Sequence, residues 1–226
     1  MVVDKDPGLT LDRNLYYVSK FVSQVAQNLL LAALFVIAGT SSHAAIGVSS
    51  LFIATLIPAI LFGVVGGAIG DRIGAPRGFM FGSALRFTVV FGACVFTSGA
   101  NTAWAVAFLF AMVSQLSSPA EMALSRIIRR GSSAPAHSLV VATQYGGQGI
   151  GMLILAPALY MLGGAHAILI GSAVGFFVLT VLTLALAIGL RSADDVRTKT
   201  AREAFSLRQT FLFFPRTPLA RDAVAA

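Results

Sequence analysis

The sequence predicts an all-α membrane protein with six transmembrane helices. Three observations predict this class: 57% of the 226 residues are hydrophobic, only 11% are charged, and the mean hydropathy is +0.84. In soluble domains roughly a quarter of all residues are charged, because a solvated surface needs them. A water-soluble fold of this length could not bury so much apolar surface in its core. A bilayer removes that difficulty.

Three long stretches contain no Asp, Glu, Lys or Arg: Phe21–Gly70, Phe87–Ala120 and Gly131–Leu190. A helix needs about 20 apolar residues, at about 1.5 Å of rise each, to cross the hydrocarbon core. Each stretch therefore holds two spans or most of two, divided by a polar or glycine-containing turn. We expect spans at about 16–38, 46–70, 78–98, 103–125, 139–161 and 165–190.

The basic residues predict the orientation of these spans. Nearly every Lys and Arg falls in segments that share one side, and the three turns on the other side contain none. Since cytoplasmic loops are enriched in Lys and Arg, we expect both termini in the cytoplasm of a multi-pass protein in a bacterial-type inner (plasma) membrane. The net charge of +7 is then explained by the basic residues of the inner segments, and no nucleic-acid partner is expected. The expected inner segments are the amino-terminal segment 1–15, the loops 71–77 and 126–138, and the tail 191–226.

The tail 191–226 differs in composition from the rest of the chain. Its first part alternates basic and acidic residues, and its second part places Phe and Leu among arginines. An amphipathic helix on the inner leaflet has this pattern. A linker between two membrane halves is the alternative, and the two are compatible.

The loop between the second and third expected spans reads GGAIGDRIGAPRG. It resembles the inner-loop motif of the major facilitator superfamily, roughly G-x-L-a-D-R-x-G-R-R, through Gly67, Asp71, Arg72 and Gly74. The chain departs from that motif where Ala75 and Pro76 precede Arg77 in place of a basic pair. Glycine permits a tight turn, and Asp71 is of a type that caps the next helix or pairs with arginines.

A second resemblance covers the fourth and fifth spans. The segments SSPAEMALSRIIRR and HSLVVATQYGGQGIG are similar to efflux members of that superfamily, although Met152 stands where the antiporter pattern has proline. The resemblance implies the amino-terminal six-span half of a twelve-span bundle, with the tail as its central loop. It implies a secondary transporter that exports a small molecule by alternating access, with a proton or sodium ion as coupling ion. Its partner would be a carboxy-terminal half or a second copy.

Charged residues within the spans are the first candidate site. Charges at the bilayer centre are costly and usually functional, and Arg86 and Glu121 lie within the third and fourth spans. We hypothesise that Asp71, Arg77, Arg86 and Glu121 form a network that locks the inner gate. Alternatively, Arg86 and Glu121 simply reach the lipid headgroups.

Two polar stripes form the second candidate site. Lys20, Gln24, Gln27 and Asn28 share one face of the first span at helical spacing, and Gln144 and Gln148 lie one turn apart on the fifth. Lipid cannot satisfy their amides, and the resemblance places both spans along the substrate path. We hypothesise that the substrate contacts Gln24, Asn28, Gln144 and Gln148. Such a neutral lining suits neutral or amphipathic solutes; interhelical hydrogen bonds are the alternative.

Glycines and prolines in the spans predict local geometry. Gly147 with Gly151, and Gly63 with Gly67, have the small-x-x-x-small spacing of closely packed helices. Gly163 and Gly164 are expected to form an outer turn. Pro58, Pro119 and Pro157 lie within spans and can kink them.

Other functional classes lack their characteristic residues. The three histidines are scattered and Cys94 is the single cysteine, so no metal site or internal disulfide is expected. We find no nucleophile with a spaced histidine and no phosphate-binding G-x-x-x-x-G-K motif, and therefore expect neither an enzyme nor a cofactor. A six-span channel or an assembly subunit is the remaining alternative to the transporter.

Overall fold

The computed structural model describes residues 7–40, 44–97, 99–128 and 135–204, and every regular element in these ranges is helical. The predicted all-α class is therefore confirmed. A short π-helical segment, Ile150–Leu155, joins the fifth and sixth α-helices. The helices are α1 Pro7–Gly39, α2 Ala44–Ile73, α3 Ala75–Phe96, α4 Ala100–Ile128, α5 Pro135–Gly149 and α6 Ala156–Ala204.

Several of these helices are long and apolar enough to cross a bilayer. Four described segments meet this condition: Asp12–Gly39, Ala45–Gly63, Ala75–Phe96 and Ser138–Leu190. The two parts of α4 make a fifth if they are counted as one span. Many large apolar side chains point away from the protein, among them Ile60 and Leu153, which are 71% and 76% exposed. The chain is a multi-pass helical membrane protein.

The long helical segment from α5 through α6 is interrupted at two glycines. Gly163 has φ −170° and ψ 29°, and Gly164 has φ 62° and ψ −152°. The φ of Gly164 lies in the left-handed region, which a glycine adopts without the steric cost of a Cβ. The turn expected at these two residues is present.

The junction between α2 and α3 is a single residue. Helix α2 extends to Ile73, so the predicted loop 71–77 is mostly helical, and α3 begins at Ala75. Gly74 has φ 85°, a conformation that favours glycine, and its carbonyl accepts the Gly78 N–H at 2.8 Å. The tight turn expected from the glycine of the motif is therefore confirmed.

Helix α4 bends by 41° between Asn101–Gln115 and Ser117–Ser125. Pro119 causes a bend at this position because it has no N–H for the carbonyl of residue 115 and its ring clashes with that carbonyl. Next to the bend, the Ser117 hydroxyl donates to the Val113 carbonyl at 3.1 Å and the Ser118 hydroxyl donates to the Ser114 carbonyl at 2.8 Å. Such bonds also favour bending, so the kink predicted at Pro119 is confirmed.

Small residues bring several pairs of helices into close contact. A Cβ on Gly82 of α3 would lie 2.2 Å from the Cβ of Ser117 on α4, and a Cβ on Gly151 would lie 2.9 Å from the Val25 carbonyl of α1. Gly147 meets α1 equally closely, which confirms the packing predicted for Gly147 and Gly151. At Gly63 an added Cβ would meet no described atom within 4 Å, so the close packing predicted at that residue is absent there. The surroundings of Gly67, the other member of the pair, lie outside those that the structure describes.

The chain divides into two compact units, residues 1–187 and 188–226. In the first, α4 packs against α2 and α3, and α1 packs against α5 and the π-helical segment. In the second, the structure describes a helix that continues to Ala204. The aromatic part of the predicted amphipathic tail, from Phe205 onward, lies outside the described residues.

Candidate functional site: a buried charge cluster

An ion pair joins α1 to α4. The Lys20 ammonium donates a hydrogen bond to the Glu121 carboxylate, 101 residues away in the sequence. The two side chains are 15% and 12% exposed, so apolar helices surround the pair. An unpaired charge in these surroundings would lose its hydration without compensation. The pairing therefore explains how both charges are tolerated here.

Arg86, on α3, lies within electrostatic range of this pair. It is 3% exposed, and it interacts electrostatically with the Glu121 carboxylate. Its Nε has no hydrogen-bond partner among the described residues. Arg86 is 11 residues after Ala75 in a helix of 22 residues, which places it about 16 Å from the start of α3, near its midpoint. We call Lys20, Arg86 and Glu121 the charge cluster.

The register of α3 against α4 positions Arg86. A Cβ on Gly78 would lie 2.7 Å from the Cβ of Ala120, and one on Gly82 would lie 2.2 Å from the Cβ of Ser117. Arg86 is the next position on the same face of α3, one turn beyond the contact of Gly82 with Ser117. Long helical side chains lean towards the helix N-terminus, and for Arg86 this direction leads towards Glu121.

The charge cluster contains two residues of the predicted gate network, Arg86 and Glu121. Lys20 was expected in the polar stripe of the first span and not in this network. Arg77 is exposed at the start of α3, and none of its described contacts joins it to Glu121. The side chains of Asp71 and Arg72 lie outside those that the structure describes, so the part of the network at the α2–α3 junction stays a prediction.

A signal for Lys20 was present in the sequence. Lys20 is the one basic residue of the first expected span, and Glu121 is the one acidic residue of the fourth. Both were expected towards the inner side of the membrane. Opposite charges at a similar depth in an apolar medium are expected to pair. The similar depth of the two residues and the opposite signs of their charges could have predicted this contact, without any use of helical periodicity.

The predicted substrate-lining residues lie on α1 and α5, which pack against each other. Asn28 is 7% exposed, and its Nδ2 donates to the Gln24 carbonyl at 2.8 Å, within α1. The Cβ of Gln24 faces Gly147 across the α1–α5 contact, whereas Gln144 and Gln148 are exposed. The substrate-lining role of all four stays a prediction.

A cleft of about 260 Å³ lies between α1 and the segment that follows α5. Its lining is apolar and includes Phe35, Met152 and Tyr160. None of the predicted substrate-lining residues borders it. Specific recognition of a polar solute needs a few placed polar groups, so the charge cluster is the better candidate site. Within the described part of the chain, no three His, Cys, Asp or Glu residues are grouped as metal ligands.

Comparison with family models and with curated proteins found no relative of this chain. No family model matches the chain, and no curated protein matches it. The resemblance to the major facilitator superfamily therefore depends on the motif residues alone.

Proposed function

We propose that this chain is a six-span bundle of a major facilitator-type secondary transporter, which exports a small molecule by alternating access. Its transport is coupled to a proton or sodium gradient, and its termini are both cytoplasmic. The motif residues Gly67, Asp71, Arg72 and Gly74 support the family. The junction at Gly74 supports it further, because the left-handed turn (φ 85°) occurs at the glycine of the motif.

Helix lengths support six spans. The segment Ser138–Leu190 has 53 residues, which would measure about 80 Å as one helix, far more than the hydrocarbon thickness of about 30 Å. The break at Gly163 and Gly164 divides it into residues 138–162 and 165–190, each about 38 Å long. Together with α1 to α4, these two segments make six.

The observation that carries the proposal is the charge cluster. On insertion scales each charge costs about 2.5–3.5 kcal/mol at the centre of a membrane helix, and charges kept there generally serve transport or signalling. The cluster draws on α1, α3 and α4. The Lys20–Glu121 contact must break if α1 moves away from α4. We assign it to the inner gate, together with the predicted Asp71 and Arg77.

Accumulation of solutes in inside-out membrane vesicles tests this function. Vesicles containing the full chain are energised with a proton or a sodium gradient and offered a panel of neutral, cationic and anionic fluorescent solutes. We expect gradient-dependent accumulation of at least one solute. Glu121→Gln and Lys20→Gln should lower its rate by at least about tenfold, as expected for loss of a buried charge-assisted contact, with expression unchanged. Arg13→Gln, at an exposed position, is the control.

Two results would contradict the proposal. The first is that vesicles with the chain accumulate no more solute than vesicles that lack it. The second is that solutes equilibrate at the same rate with and without a gradient, as they would through a channel. The substrate-lining assignment is separate: it would be wrong if alanine at Gln24, Asn28, Gln144 and Gln148 left the apparent affinity for the transported solute unchanged.

A further inference from the structure

The charge cluster is not electrically balanced. Among the described side chains it holds two cations, Lys20 and Arg86, and one carboxylate, Glu121. Lys20 is engaged by that carboxylate directly. Among the described side chains, one positive charge therefore has no carboxylate of its own, in apolar surroundings where a lone cation is strongly disfavoured unless a counter-charge joins it.

Arg86 carries the unsatisfied part of the cluster. With 3% of its surface exposed, its guanidinium is not placed among headgroups, and its buried Nε has no partner. The buried hydroxyl oxygen of Ser114, on α4, also lacks a partner among the described residues. Two buried polar groups without partners thus lie on neighbouring helices, α3 and α4.

We propose that Arg86, with Ser114 and Lys20, binds the anionic group of the transported solute, so that the substrates are small organic anions with a carboxylate or phosphate. This inference rests on the proposed function. A guanidinium matches such a group with two parallel N–H donors, and the anion supplies the missing charge. It revises the expectation of neutral solutes, which came from the glutamine and asparagine stripes.

The arrangement also links binding to the gate. The anion and the Glu121 carboxylate compete for the same cations. A bound anion therefore weakens the Lys20–Glu121 contact, which joins α1 to α4. Because Glu121 is the competitor, its removal should favour the anion, whereas the removal of Arg86 should disfavour it.

Binding of benzoate, compared with its neutral amide benzamide, tests the proposal without any transport measurement. Each probe is titrated by calorimetry into the purified full chain in an uncharged detergent. We expect the wild type to bind benzoate more tightly than benzamide. Arg86→Gln should weaken benzoate binding about 10- to 100-fold, the loss expected for a hydrogen bond to a charged group. Arg86→Lys should weaken it less, Glu121→Gln should tighten it, and Arg13→Gln should leave it unchanged.

Several results would overturn the proposal. These are equal affinity for benzoate and benzamide, unchanged benzoate affinity in Arg86→Gln, or weaker benzoate binding in a Glu121→Gln protein that elutes as one folded species. If Arg86→Gln does not fold, the benzoate affinities of Arg86→Lys and Glu121→Gln decide whether the proposal holds. Displacement of benzoate by phosphatidylglycerol in phosphatidylcholine nanodiscs would assign the site to a lipid headgroup and also overturn it. If the protein transports a solute but does not bind benzoate, the anion site is refuted and the proposed function stands. If it binds benzoate but transports no solute, the proposed function is refuted and the anion site stands.

Discussion

At the scale of single residues, the charges within apolar helices carry most of the functional information. The sequence predicted that Arg86 and Glu121 were unusual, because each lies inside a span where charge is costly. It did not predict that Lys20 pairs with Glu121. Depth along a helix can be read from residue numbers, but which helices are neighbours, and which faces meet, depends on tertiary packing. Lys20 was therefore grouped with the glutamines of its own helix.

The strength of the Lys20–Glu121 pair can be measured by a double-mutant cycle. Lys20→Met and Glu121→Gln each remove one charge of the pair, and the double variant removes both. Arg86 is present in all four proteins of the cycle, so the coupling free energy reports the Lys20–Glu121 pair. We expect a coupling free energy of about 1–3 kcal/mol, as for residues in direct contact. Thermal unfolding in detergent measures it, with Arg13→Met as the exposed control. Strict additivity of the two single effects would mean that the pair does not form.

At the scale of helices, small residues decide which elements approach closely. The spacing of Gly147 and Gly151 predicted a contact that is present, and the same spacing at Gly63 predicted one that is absent at that residue. Gly78 and Gly82 have this spacing too, and were missed although they hold α3 against α4. Spacing shows that two small residues share a face of a helix. It does not show whether another helix covers that face.

A matched pair of alanine substitutions on α3 tests this contact. Gly82→Ala would place a Cβ 2.2 Å from the Ser117 Cβ, whereas Gly92→Ala would meet no atom within 4 Å. We expect Gly82→Ala to destabilise the bundle by about 1–3 kcal/mol through overpacking. Gly92→Ala should be neutral or stabilise it by up to about 1 kcal/mol, because alanine favours the helix. Thermal unfolding of both variants in the same detergent gives the comparison, and equal effects would contradict the close approach of α3 and α4.

At the scale of the whole molecule, composition and length were sufficient for the class. Apolar runs predicted helices that cross a bilayer, and Gly163 and Gly164 predicted the turn inside the longest run, because a helix of that length exceeds the membrane. The α2–α3 junction was expected as a loop of several residues, since Asp71 and Arg72 are polar. The helix nevertheless continues through them to Ile73. Two polar residues alone therefore do not end this helix.

The central claim is that six helices cross the membrane with both termini in the cytoplasm. Labelling of single cysteines with a membrane-impermeant maleimide tests it most directly, in a background where Cys94→Ser removes the native thiol. Thr40, Leu162 and Arg77 are exposed and lie beside three different turns. We predict that Thr40→Cys and Leu162→Cys react in intact cells and that Arg77→Cys reacts only after permeabilisation. Labelling of Arg77→Cys in intact cells would contradict the account. So would a Leu162→Cys protein that does not react in intact cells, whether or not it reacts after permeabilisation.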